Sequence, residues 1–535
     1  MSSKAAWTAG LAIGLTLFTG AYAQVESESL DDISAWGQRY LSVGEPEFPS
    51  NLWRYSDDDT LLDLMQSVRT ADLSPAERRL LRRAILSPAT RPVGSKAEAL
   101  LAERARLMLE LGEERAAADL VPHLQEDPLG LDAETLAVDL DMASGQELAA
   151  CSNLDGPVRE GGYWLKLRAV CAVLRDNIAG AQIAIEVAES QGVMDQWTVA
   201  AIFAASGDSP NPPEARYDTG LNIALSTKAA LDTSNVEPEI ERPGLAAAIA
   251  QRPGVPAELR SLFAETASEY ALIDAAERRD ILLSRLDDPE YEPNNALEST
   301  LKALGDPLTS DEARATSLAE VLSNAADQGV ARYRTVCDLF LTDLKQLAQN
   351  ETTADQALIF ARAALMAGDL ELSEAWLKTF RSSASTPADP FDQAVLNAAQ
   401  AITGGETSPA KLRAIEKRLI STAGSTEREV QALNILTLWT GLGLPVSPIG
   451  RDFVSQTADR GDRLAQGHLT ALKAAARAEA RGESALMVLA ISQGDTKALA
   501  GPDIISLLET LVAIGANDIA RDFALETSQF WKDTD

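Results

Sequence analysis

Apolar residues recur at helical spacing along most of the chain, and the clearest stretch runs from Asp355 to Phe380. Before Gly368, the residues Ala357, Phe360, Ala361, Ala364 and Leu365 share one helical face; after it, Leu372, Ala375, Trp376 and Phe380 share another. The spacing predicts two short helices joined by a tight turn. Gly368 stands where a helix C-cap takes positive φ. Asp369 supplies a favourable charge at the start of the next helix. Each helix of such a hairpin is apolar on one face, and both faces are buried only against a neighbour of the same kind.

Aligning the chain on this turn finds the pattern again. Leu109, Gly112, Ala116 and Leu120 form one copy, and Val512, Gly515, Ile519 and Phe523 another. Together with Leu365, Gly368, Leu372 and Trp376, these copies place apolar residues three before the glycine and four and eight after it. Weaker copies centre on Gly145 and Gly482. Gly112 to Gly145 and Gly482 to Gly515 are both 33 residues, close to the ~34-residue tetratricopeptide period. In these segments, near 97–190, 352–382 and 462–532, the chain resembles the tetratricopeptide-like α-solenoid superfamily. The family's W-x2-L-G-x2-Y opening is absent, and no regular repeat can be placed through 207–310. The resemblance implies an all-α fold of stacked antiparallel helical hairpins forming a superhelix. It also implies a concave surface that takes a protein or peptide partner.

Helix start signals support this reading. Asp57-Asp58-Asp59 precedes an apolar-periodic stretch, Ser74-Pro75-Ala76-Glu77 reads as a capping box, and Thr309 to Glu312 and Thr426 to Glu429 repeat that logic. The three aspartates lack the D-x-D-x-D-G spacing of a calcium loop. Residues 24–56 differ from the rest: prolines and glycine lie among Trp36, Tyr40, Phe48, Trp53 and Tyr55, which reads as an irregular arm docked on the protein's own surface. The acidic, proline-containing stretch 287–295 is the expected boundary between two helical-repeat halves, 57–290 and 291–535, the alternative being a loop on one continuous superhelix.

Residues 1–23 read as a secretory signal, with Lys4, an apolar run from Ala9 to Ala21, and Ala21-Tyr22-Ala23 as cleavage site. Cleavage after Ala23 leaves a periplasmic or secreted chain beginning at Gln24. The whole sequence carries 47 basic and 80 acidic residues, a net charge of −33. Such a surface repels phosphate backbones, which disfavours nucleic-acid partners.

Catalytic, cofactor and metal motifs are not found. His123 and His468 sit in no zinc-ligand spacing, and no G-x-S-x-G elbow or Gly-rich phosphate loop occurs. No catalytic residue, metal ligand or cofactor is therefore assigned. The cysteines say more. Cys151 lies near a helix end and Cys171 on the next helix, with Asp155-Gly156-Pro157 between them. In an exported protein the two are expected to pair, the alternative being two buried thiols. Cys337 is left over as a helix-packing thiol. The function expected is a protein-binding scaffold or adaptor in cell-envelope assembly or maintenance. A cell-wall-acting enzyme with an unrecognised site and a structural spacer remain the alternatives.

Overall fold

The computed structural model describes residues 35–124, 133–156, 159–207, 209–236, 242–287, 291–382, 389–405, 408–457, 461 and 463–533. The expected signal segment, 1–23, lies outside the described residues. The fold is all-α, and consecutive helices pack in neighbouring pairs. The first group is α1 (Asp58–Ser67), α2 (Pro75–Leu86), α3 (Ala97–Glu110) and α4 (Glu114–Leu120). Next come α5 (Ala133–Ala143), α6 (Glu147–Ser152), α7 (Gly162–Leu174), α8 (Ile178–Ser190), α9 (Gln196–Ala205) and α10 (Gly220–Lys228). They are followed by α11 (Pro243–Gln251), α12 (Ala257–Glu269), α13 (Ala275–Leu286), α14 (Ala296–Gly305), α15 (Asp311–Gln328) and α16 (Val330–Gln346). The remainder comprises α17 (Ala357–Met366), α18 (Leu370–Ser382), α19 (Pro390–Gly404), α20 (Pro409–Thr422), α21 (Thr426–Gly441), α22 (Pro448–Gln456), α23 (Gln466–Arg477), α24 (Arg481–Ser492), α25 (Gly501–Ala513) and α26 (Asn517–Ser528).

The three turn glycines share one backbone geometry. Gly112, Gly368 and Gly515 have φ of +81°, +81° and +86°. Each closes its helix with the same two bonds: Gly368 N–H donates to Leu365 and Asp369 N–H to Ala364, as Gly112 does to Leu109 and Glu113 to Met108. This is the Schellman arrangement, which satisfies carbonyls the helix end would otherwise leave bare. Gly145, between α5 and α6, has it too, at φ +78°. Gly482 does not. It lies within α24, and the left-handed residue of that turn is Glu479, at φ +57°. A side chain at Gly482 would meet the Trp53 ring at 2.3 Å, so what requires glycine there is the docked arm rather than the turn.

The same turn occurs where no glycine marks it. Asp176, Ala230 and Ala271 are left-handed at φ +56°, +48° and +56°, and Ala271 N–H donates to Ser268 while Leu272 N–H donates to Ala267. Two of these three turns fall within 207–310, which is why glycine spacing showed no repeat there.

Helical pairing is not the whole architecture. One large core joins buried residues of 35–136 to residues from Leu282 through Trp531, and two smaller cores lie within 138–281. The first helices therefore pack on the last: α1 and α2 against α24, and α2 against α26. Buried Glu526 on α26 accepts from the Ala76 N–H at the start of α2 (3.0 Å), and Arg83 on α2 pairs with Asp518 (2.9 Å). Arg79 pairs with Asp522. From α16, Arg334 reaches Glu526 at 3.5 Å. The arm completes this seam. Trp36, Phe48, Leu52 and Trp53 are buried, and Leu52 C=O accepts from Gly482 N–H at 3.0 Å. Arg104, fully buried, donates to the Ala35, Ile85 and Ser87 carbonyls (3.1, 2.7 and 3.2 Å), tying the arm to the end of α2.

Two predictions follow from these geometries. An alanine in the left-handed region is strained by roughly 1 kcal/mol, which glycine relieves. Ala271→Gly is exposed and within no helix, so it is expected to stabilise the protein by about 0.5–1 kcal/mol; a lower denaturation midpoint would refute the shared turn. The second concerns pH. Burial pushes the Asp518 carboxyl up, but the hydrogen bond and charge of Arg83, with the Ile519 N–H, outweigh it and leave the pKa below the usual range. Its stabilisation is thus present above the unfolded-state value of about 4 and lost as pH falls through the lowered one. Since Asp518 is 52% exposed, screening limits the pair to about 1 kcal/mol. Asp518→Asn should cost that much at pH 7 and progressively less toward pH 3, measured by urea denaturation. A pH-independent cost would show that the charge is not what matters.

Candidate binding cavity between helices α12 and α16

The residues singled out by sequence do not converge on one place. Cys151, on α6, and Cys171, on α7, form a disulfide with Cα atoms 5.7 Å apart. Cys337 is a free, buried thiol on α16, its pKa pushed well up by burial. His123 and His468 are exposed, the first in the turn after α4 and the second on α23. The carboxylates of Asp57, Asp58 and Asp59 lie within 4.8 Å of one another, but two are already engaged at helix starts. Asp57 caps α1 through the Thr60 N–H (3.1 Å), and Asp58 accepts from the Lys96 N–H ahead of α3 (2.8 Å).

The most distinctive chemistry lies elsewhere, in a cavity of about 650 Å3 bounded by α12 to α16. Its walls are set by local signals. Ala271 turns α12 into α13, Asp274 caps α13 through the Glu277 N–H (2.8 Å), and Asn295 caps α14 through the Glu298 N–H (2.9 Å). Gly329, at φ +121°, joins α15 to α16. Leu282, Val321 and Val336 form an apolar lining, with Leu262 exposed at the cavity edge.

Three arginines line this space, and their surroundings differ. Arg285 is neutralised: its guanidinium meets buried Glu298 at 2.6 Å and Glu258 at 3.4 Å, and it lies over the Tyr291 ring at 4.1 Å. Arg332 pairs with Glu265. Arg278 is only 2% exposed, yet its Nε and Nη1 have no hydrogen-bond partner among the described residues. Its closest carboxylate is Glu265, at 3.9 Å, already held by Arg332. Burial lowers the Arg278 pKa to about 10, and the like charge of Arg332 adds to this. The Glu265 and Glu269 carboxylates act in the opposite sense, so the group is still charged at neutral pH, and its two partnerless nitrogens are sealed in the packing rather than open to the cavity. Leaving such a group unsatisfied costs several kcal/mol in a protein interior.

Two other cavities lack this feature. One of about 250 Å3 lies among α5, α7, α9 and α10, and its cations are saturated: Lys166 by Asp195 (2.7 Å), Arg242 by Glu114 (2.6 Å) and Asp139 (3.2 Å). There the Tyr163 hydroxyl is buried, its pKa raised by burial and by the Asp139 carboxylate. The other, about 470 Å3 beside α21 and α22, is walled mainly by apolar residues such as Leu436, Leu444 and Val454. Of the three, the α12–α16 cavity is the most spacious, and three arginines line it together with Glu258, Glu265, Glu298 and Asp327. Its hydroxyl, Ser261, is engaged with the Ala257 carbonyl (2.9 Å). What the lining offers is hydrogen-bond donors and apolar walls, the composition of a binding site.

Comparison with known proteins identifies no relative: no family model, no curated protein and no solved structure matches this chain. The cavity arginines escaped the motif search because they belong to no motif. A signal was present nonetheless. Arg278, Leu282 and Arg285 follow one another at i, i+4 and i+7, which places two cations on a stripe with leucine.

Thiol chemistry checks the covalent part of this description. Alkylation of the native protein should label no cysteine, and alkylation after denaturation without reductant should label Cys337 alone. The disulfide closes a loop of 20 residues, worth roughly 3 kcal/mol in the chain-entropy account. Three labelled cysteines in protein from an oxidising compartment would contradict the pairing.

Proposed function

We propose that this is an exported helical-repeat protein, its hairpins stacked in a tetratricopeptide-like array, that serves as a protein-binding scaffold or adaptor in cell-envelope assembly or maintenance. The observation that carries the binding reading is the cavity of about 650 Å3 bounded by α12 to α16, where Leu262, Leu282, Val321 and Val336 offer apolar walls among polar and charged groups. Export is supported by the signal-like segment ending at Ala23 and by the Cys151–Cys171 disulfide, which suits an oxidising compartment. No described helix is long and apolar enough to cross a membrane. The strongly acidic surface argues against a nucleic-acid partner.

The test is photo-cross-linking in a bacterial host that produces the full chain. The photoreactive residue replaces Leu262, at the cavity, or exposed Val93 as a control. The expected result is a mature chain starting at Gln24 in the soluble periplasm, with a discrete protein adduct from position 262 and none from 93. Retention of residues 1–23 would overturn the export reading, and adducts independent of position would overturn the scaffold reading.

A further inference from the structure

We propose that the outward face of α20 docks an acidic helix of a partner protein, with Arg413, Lys417 and Arg418 as its cationic contacts. This face lies on a different helix from those that bound the α12–α16 cavity, and it is a second contact for the scaffold role proposed above.

Helix α20 runs against the charge of the chain. The sequence holds 47 basic and 80 acidic residues. The charged residues that α20 exposes are Lys411, Arg413, Lys417 and Arg418, all of them cations. Its one carboxylate, Glu416, is buried and accepts from the Ser447 and Gly450 N–H groups at the start of α22 (2.8 Å each). Among the described residues, Arg413, Lys417 and Arg418 have no ion pair and no side-chain hydrogen bond. The exposed carboxylates on adjoining helices, Glu427 and Glu429 on α21 and Asp452 on α22, do not pair with them. Arg381 on α18 adds a further cation. Loss of solvent around it and, after that, the like charge of Arg418 lower its pKa.

The fold itself shows what such a stripe meets. On α2, Arg79 and Arg83 lie four residues apart, and α26 answers both: Arg79 pairs with Asp522 and Arg83 with Asp518 (2.9 Å), again four apart. Opposite charges at i, i+4 on two helices thus match side by side. Arg413 and Lys417 repeat that spacing on α20 and remain exposed, because α20 packs inward on α19, α21 and α22. Exposed Ala410 and Ala414 lie among the cations, and their small side chains let the axis of a second helix come close. Single exposed ion pairs are weak, so affinity requires several at once, which repeated carboxylates on one helix face supply.

The reach of charge selects among acidic partners. At physiological ionic strength, interactions are screened over about 8 Å. A helix lying along α20 is therefore governed by the cations beside it and shielded from most of the acidic surface. A bilayer is flat and extends past the patch, so it meets the surrounding carboxylates as well. The α20 face also exposes no large apolar residue that could enter a bilayer. Nucleic acid carries phosphate charge along its whole length and meets the same repulsion.

The experiment is a fluorescence-anisotropy titration of the purified full chain at physiological ionic strength. The probe is an end-blocked, alanine-based helical peptide of about 16 residues with glutamate at every fourth position. It is compared with its glutamine counterpart and with the same residues rearranged so that no two glutamates lie four apart. The expected result is saturable binding of the glutamate peptide, at least tenfold weaker for both comparison peptides and weakened by added salt. Arg413→Glu combined with Lys417→Glu should abolish this binding without lowering Tm, since both residues are exposed, and Arg413→Lys should retain most of it. The peptide comparison uses the unaltered chain and decides even if a variant fails to fold. No saturable binding, equal binding of either comparison peptide, or binding indifferent to the double variant would overturn the proposal. Tighter binding to phosphatidylglycerol vesicles would overturn it in favour of a membrane, and self-association removed by the double variant would overturn it in favour of a second copy of the chain. A position-specific adduct at Leu262 without glutamate-peptide binding would remove this surface while leaving the cavity's binding role intact.

Discussion

The two ends of helix α2 hold the molecule together. At its start, the Glu526 carboxylate from α26 accepts from the Ala76 N–H; beyond its end, the Arg104 guanidinium from α3 takes the Ile85 and Ser87 carbonyls. Each charge complements the end of the helix dipole that it meets. Both groups are buried. Burial is costly for any ion, and here backbone hydrogen bonds offset much of that cost. The consequence is long-range. Through α2, the first described helices are fixed to α24 and α26, and the arm at 35–56 is fixed to α24 where Leu52 and Trp53 meet Gly482.

That seam changes how stability is distributed. In an open array each hairpin is held only by its neighbours, and the terminal units fray. Here the first and last helices share one core, while residues 138–281 rely on two smaller ones and on the Cys151–Cys171 disulfide. The cross-link therefore lies in the part of the chain with the less extensive cores. The cavity at α12–α16 lies where the last of the small cores meets the large one: Ile281 belongs to the former and Leu282 to the latter. A junction between separately packed regions is a place where space is left and where polar groups can be tolerated.

At the cavity, Arg285 forms a buried ion pair with Glu298, Arg332 a partly exposed one with Glu265, and Arg278 meets no carboxylate closer than 3.9 Å. The contrast within one site is informative because the local environment is shared. Arg285 and Arg332 show that this region can supply carboxylates to a guanidinium. Arg278 shares Glu265 at 3.9 Å, and two of its nitrogens are sealed in the packing without acceptors, a local cost that the rest of the fold carries.

Helical character, the turn at Gly368 and its copies at Gly112 and Gly515, the caps at Asp57 and Ser74, and a reachable Cys151–Cys171 pair were legible in the sequence, because each depends on residues close together along the chain. The turns at Ala230 and Ala271 were not legible, because there the left-handed conformation falls on alanines, residues that do not advertise it. Gly482 shows the reverse case: a glycine that spacing marks as a turn is required by Trp53, more than 400 residues away. The seam between α2 and α26 and the isolation of Arg278 likewise depend on residues distant in sequence. Pattern alone determined that helices form and where many of them end. Which charges meet, and which one is left without a partner, was decided only when those helices packed.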